Sequence, residues 1–137
     1  TTAFGIKPPF WDFILKNLIE FDIEAIVLAG YLGIISEEIV NRYEKKIINI
    51  HPSLIPKYCG KGFYGMKVHE AVISNNEMET GVTVHYVDKG IDTGEIISQQ
   101  KVKVEQSDTP ESLAKKVLKF EHRLLINTLK QLIEEWN

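Results

Sequence analysis

A single cysteine, Cys59, stands in 137 residues, so no disulfide can close within the chain. That excludes a disulfide-stapled scaffold and fits a reducing compartment. Arginine is scarce: of 16 basic residues only Arg42 and Arg123 are arginines, against 19 acidic residues. The formal charge of −3 offers no basic footprint for a nucleic acid. No apolar run approaches the ~18 residues that a membrane span needs. The longest strongly apolar stretch is Ala25-Ile26-Val27-Leu28-Ala29. Thr1 to Gly5 lacks the charged-then-apolar order of a secretory signal. No cluster of His, Cys, Asp or Glu has metal-ligand spacing, so no metal is expected. Internal repeats, low-complexity tracts and interdomain linkers are also missing. What is present is a hydrophobic fraction of 44%, which suits one core in one domain over residues 1–137.

The apolar spacing lays out the elements. Pro8 and Pro9 open a helix, with Phe10, Phe13, Ile14, Leu18 and Phe21 as its apolar stripe. Glu24 to Ala29 reads as a fully buried strand, broken by Gly30-Tyr31-Leu32-Gly33. Ser36 caps a short helix whose first turn carries Glu37 and Glu38. Ile47 to Ile50 is a short buried strand. A loop rich in Pro and Gly follows, from His51 to Gly65, and then a helix from Met66 to Ser74. Gly81 to Val87 is β-branched and reads as a strand. A turn at Asp88 to Gly94 separates it from an extended stretch, Ile96 to Val104. Thr109-Pro110 starts a long amphipathic helix by the cap-then-proline rule. Its apolar face carries Leu113, Val117, Phe120, Leu124, Leu129, Leu132 and Trp136. Helices alternating with short strands predict an α/β layered sheet.

Two segments hold residues suited to chemistry. In a strand, side chains two apart point the same way, so Asn49 and His51 project together at the strand's carboxyl end. Pro52 keeps His51 extended. Ligands of open α/β sheets bind outside the carboxyl ends of strands. An Asn amide can donate to a developing oxyanion, and a His can donate a proton or a charge. The same spacing also suits an Asn and a His that only tie down a loop. In the second segment, His85 to Gly94, Asp92 can hold a proton on His51 if the turn folds over it. Its Asp and Gly residues equally suit an ordinary hairpin. His85, in an apolar strand, reads as a core residue. His69 and His122, within helices, read as surface or boundary residues. Cys59 has no base partner in the sequence and reads as a bystander.

Asn49-Ile50-His51-Pro52-Ser53-Leu54, followed by Val84-His85-Tyr86-Val87-Asp88 and Ile91-Asp92-Thr93-Gly94, resembles the domain of folate-dependent formyltransferases. The resemblance continues through Asp108-Thr109-Pro110-Glu111 and Phe120-Glu121-His122. The loop from Lys57 to His69 is similar to that of members acting on glycinamide ribonucleotide. The resemblance implies a three-layer, mainly parallel, Rossmann-like sheet. It also implies that this chain is the C-terminal two-thirds of the domain. The first two or three β-α units, with their phosphate-gripping glycine loop, have no counterpart here. A cis peptide at Ile55-Pro56 is implied too.

The roles it implies are these. Asn49, His51 and Asp92 form a catalytic trio. The pteridine of 10-formyltetrahydrofolate lies against Leu32, Gly33, Ile34, Ile35, Asp88, Lys89, Gly90, Ile91 and Asp92, with Asn49 and Lys7 as further folate contacts. Leu118, Lys119, Phe120 and Glu121 contact the ribonucleotide, Glu121 through ribose hydroxyls. The implied reaction moves a formyl group from 10-formyltetrahydrofolate to the amine of glycinamide ribonucleotide, in the cytoplasm. The partners are small molecules, with no nucleic acid and no membrane. A homo-oligomer or a separate N-terminal fragment is the protein partner left open. A silent folate-binding fragment, a formyltetrahydrofolate hydrolase and a methionyl-tRNA formyltransferase are the alternatives. The hydrolases usually carry a second His where Pro52 stands.

Overall fold

The computed structural model describes residues 8–29, 31 and 34–137. The elements run α1 (Pro8–Glu20), β1 (Ile26–Leu28), α2 (Glu37–Arg42), β2 (Ile47–His51), α3 (Met66–Ser74), β3 (Glu79–Tyr86), β4 (Ile96–Lys103) and α4 (Pro110–Trp136). Among the described residues no helix is long and apolar enough to cross a membrane.

The four strands form one sheet in the order β1-β2-β3-β4. β1 pairs parallel with β2, as a mainly parallel sheet requires. The other two pairs, β2 with β3 and β3 with β4, are antiparallel, so the described sheet is mixed. The reason for the last pair is local. Residues 87–95 are too few for a crossover, and a short connection returns the chain antiparallel.

Period-two alternation divides the sheet between two helical layers. Ile47 joins Trp11, Ile35, Ile39, Val40 and Tyr43 in a cluster with α1 and α2. Its neighbour Ile48 faces the other way and packs with Val84 and Leu132 of α4. Val82 and Val102 meet Val72 of α3 and Leu113 and Val117 of α4. Helices on both faces make the three layers expected.

β1 departs from the fully buried strand expected over Glu24 to Ala29. It is three residues long, and Val27 is 41% exposed. Ile26 and Leu28 pack on the first cluster, while Val27 points to the opposite face. The strand's apolar run therefore exceeds what the described residues cover.

α4 starts where the sequence places it. Thr109 and Ser112 form a reciprocal capping box with Pro at the first helical turn. Asp108 braces this start. Its carboxylate accepts from Lys116 at 2.6 Å, from the Ser112 hydroxyl at 2.7 Å and from the Glu105 N–H at 2.8 Å. The Lys116 hydrogen bond, first among these, holds its carboxyl below the usual range despite burial. The Ile55–Pro56 peptide is cis.

Candidate active site

β2 sets the site. Asn49 and His51 share one face of it, and the register with β3 places His85 opposite Asn49 and Thr83 opposite His51. Directly opposed residues share a face, so four polar side chains cluster on one patch of the sheet. His51 is 5% exposed and His85 2%.

The loop after β2 is nailed to the sheet. The Thr83 hydroxyl donates to the Ser53 carbonyl at 2.7 Å and accepts from the Ile55 N–H at 3.2 Å. Gln99 donates to the same hydroxyl at 2.9 Å. The Ser53 hydroxyl donates to the Lys57 carbonyl at 2.6 Å. This holds the chain so that its next turn reaches back over His51. Tyr58, with φ 52°, presents its carbonyl oxygen 2.8 Å from His51 Nε2. A carbonyl only accepts, so Nε2 carries a hydrogen.

The turn between β3 and β4 closes the other side. Its carbonyl and N–H ends are fixed by Tyr86 donating to Glu95 and Val87 donating to Ile47. Inside it, Asp88 accepts from the Gly90 N–H and from Thr93, an Asp turn of the usual kind. Asp92 sits at φ 55°, a left-handed conformation that Asp tolerates better than most residues. Its Oδ2 lies 3.6 Å from His51 Nδ1 and accepts the Gly60 N–H at 3.0 Å. Its Oδ1 lies 3.7 Å from His85 Nε2. Both histidine distances are too long for hydrogen bonds. With Nε2 of His51 bound to a carbonyl and Nδ1 facing a carboxylate, a doubly protonated ring satisfies both neighbours.

These groups line one cavity of about 650 Å³. Asn49, His51, Asp88, Gly90, Ile91, Asp92, Leu118 and Glu121, all singled out from the sequence, are on its wall. Lys89, Ile34, Ile35, Lys119 and Phe120 are not. Lys89 pairs with Glu37 at 2.9 Å on the surface, Ile35 packs in the α1–α2 cluster, and Phe120 packs against the α3–α4 cluster. Ile34 and Lys119 are exposed. Lys7, Leu32 and Gly33 lie outside the described residues. Burial pushes the Glu121 carboxyl up to about 7.

Two site residues were misplaced by sequence reasoning. His85 is buried, as expected, but it faces Asn49 and Asp92 rather than the apolar core. His69 is not a surface residue. It is 5% exposed, lines the cavity, and its Nδ1 has no protein partner. Burial first, and the His51 charge second, push its imidazole below the usual value. The available signal was the helix period: His69 falls between Val68 and Val72, on the inward side of α3. Among the described residues no group of three metal-binding side chains converges.

Comparison with known proteins gives this geometry a lineage. The chain is 45% identical over 122 residues to a chloroplastic phosphoribosylglycinamide formyltransferase of Vigna unguiculata, covering 89% of this chain and 39% of that protein. It is 38% identical over 127 residues to the phosphoribosylglycinamide formyltransferase of Bacillus subtilis, covering 93% of this chain and 63% of that one. It superposes on the crystal structure of phosphoribosylglycinamide formyltransferase from Bacillus halodurans with a TM-score of 0.86 and 39% identity, covering 97% of this chain and 66% of that chain. The chain thus spans between about two fifths and two thirds of the length of these relatives. Residues 11–129 match the family model described as formyl transferase, and the chain belongs to that family.

Proposed function

We propose that this chain carries the transfer centre for moving a formyl group from 10-formyltetrahydrofolate to the amine of glycinamide ribonucleotide, a step of purine biosynthesis. The observation that carries the reading is the meeting of Asn49, His51 and Asp92 in one cavity. Its volume falls within the range of small-molecule sites, roughly 300–1,000 Å³. The unpaired Nδ1 of His69 offers a polar contact to whatever fills it.

In this reading the substrate amine attacks the formyl carbonyl carbon. A carbon–nitrogen bond forms and the carbonyl oxygen gains negative charge. Asn49 donates to that oxygen, and the charged His51 ring stabilises it. Asp92 faces the ring's Nδ1 at 3.6 Å and holds its angle. The carbon–nitrogen bond to the folate then breaks, and the proton lost by the attacking amine ends on the folate nitrogen. Apolar Leu28, Val87 and Ile91 on the wall suit the flat folate ring. The family resemblance assigns ribonucleotide contacts to Leu118 and Glu121, and both line the cavity from α4. The cytoplasm is the proposed compartment, in keeping with the lone Cys59.

The test is formyl transfer by the full protein with both substrates. Tetrahydrofolate release that depends on glycinamide ribonucleotide, with the formylated ribonucleotide as product, is expected. Release at the same rate without the ribonucleotide would mean that water is the acceptor, and the reading would fall.

A further inference from the structure

His85 has no role in the steps above, yet it touches two of the three groups that do. It is the cross-strand partner of Asn49. Its Nδ1 lies 2.9 Å from the Tyr86 carbonyl oxygen. That oxygen only accepts, so Nδ1 carries the hydrogen, and Nε2 of the neutral ring is a bare lone pair. Asn49 Nδ2 stands 3.4 Å away and donates into it. Among the described residues this is the only hydrogen bond of the Asn49 side chain, and Asn49 lines the cavity. Its second N–H is left for a ligand.

We propose that His85 is a positioning residue that acts through Asn49: its tautomer decides which way round the Asn49 amide stands. The inference rests on the formyl-transfer reading, because it concerns the donor to the developing oxyanion. An amide is a donor at one end and an acceptor at the other. While Nε2 of His85 accepts, the Asn49 nitrogen faces the ring and its free N–H direction is fixed. A hydrogen on Nε2 would set donor against donor, and the amide would turn over. Donor and acceptor then exchange places around Asn49. Asp92 Oδ1 lies 3.7 Å from Nε2, too far for a hydrogen bond, and its other oxygen is shared by His51 and the Gly60 N–H. The Tyr86 carbonyl and the Asn49 amide together hold the neutral, Nδ1-protonated form. Tyr86 owes its place to β3, so a backbone carbonyl hydrogen-bonded to the far side of the ring sets the polarity of the site.

The variants His85→Leu and His85→Gln separate positioning from packing. Glutamine places an acceptor oxygen near the old Nε2, whereas leucine offers none. In the full protein, His85→Leu is expected to lower kcat about 10–100-fold, below the ~10²–10³ of a lost oxyanion donor, with KM nearly unchanged. His85→Gln is expected to restore kcat to within a few-fold. The double variant with Asn49→Ala is expected to be no slower than Asn49→Ala alone, since the two act as one unit. Normal turnover by Asn49→Ala would sink the oxyanion reading itself. A slow Asn49→Ala that slows further by the whole His85→Leu factor would leave that reading intact and overturn the positioning role. Nitrogen NMR of the unsubstituted protein gives a check that needs no variant. The hydrogen is expected on Nδ1 of His85, with Nε2 bare. The opposite tautomer, or a doubly protonated ring at neutral pH, overturns the proposal.

Discussion

One carboxylate, that of Asp92, serves two imidazoles and a backbone N–H. Its charge and its shape can be separated by one substitution. Asparagine tolerates the left-handed φ of 55° and can still accept from Gly60. Asp92→Asn is therefore expected to fold with an almost unchanged Tm and to lose turnover by ~10²–10³, as for a lost transition-state charge. Steady-state kinetics beside a melting curve decides it, and more than a tenth of the parent kcat would show that the charge is dispensable. Two other cavity groups couple folding to pH, in opposite senses. Glu121 is raised by burial from 4.5 to about 7, so the folded state holds its proton longer than the unfolded one. That stabilisation is complete below 4.5 and is lost as the pH climbs through about 7. Glu121→Gln should match the parent's Tm at pH 4 and exceed it by several degrees at pH 8. His69 is lowered from 6.5, so the unfolded chain takes its proton first. Stability is lost on acidification below 6.5, and His69→Gln should flatten that loss in a melting series.

The turn between β3 and β4 is an element in its own right, because it carries Asp92 to the histidines. Gly94 lies against its base: a Cβ there would strike the Tyr86 carbonyl, and backbone cannot yield as a side chain can. Gly94→Ala is expected to cost about 1–3 kcal/mol as an overpacking change. Because the displaced turn takes Asp92 with it, kcat should fall at least tenfold as well. Thr109→Ala gives the contrast. It removes the α4 cap, at a cost of about 1 kcal/mol, far along the chain from the histidines. Denaturant melts and kcat for the two variants should diverge, with Thr109→Ala losing stability and keeping turnover. Equal kcat losses would mean that the site responds to stability in general and not to the turn.

At the scale of the whole molecule, the described fold leaves a strand edge and several large apolar side chains exposed. β1 is one edge of the described sheet, Val27 within it is 41% exposed, and Phe13 and Phe21 are 63% and 69% exposed. Open strand edges pair with other chains, and contiguous apolar patches mark interfaces. Residues 1–137 expressed alone should bind an apolar fluorescent dye and show concentration-dependent self-association in sedimentation. The same segment within a chain of its relatives' length should bind less dye. Equal dye binding in both would show that these apolar residues are ordinary exposed surface.

The sequence by itself determined whatever rests on near neighbours. The cap and proline at Thr109-Pro110 start α4, and the apolar spacing bounds α3 at Met66–Ser74, because helices are built from contacts three and four residues apart. Asn49 and His51 are bound to share a face because a strand alternates with period two. The tertiary structure decided what depends on pairing between distant segments. The sheet directions follow from which strands meet, and β1 is only part-buried because no described segment covers Val27. His85 reads as a core residue until the β2–β3 register sets it opposite Asn49, 36 positions away. Asp92 reads as a turn residue until that same turn lands on His51. His69 reads as a boundary residue until α3 packs its inward side against the cavity. Strand register and helix docking are fixed by long-range burial, which no local window of the sequence contains.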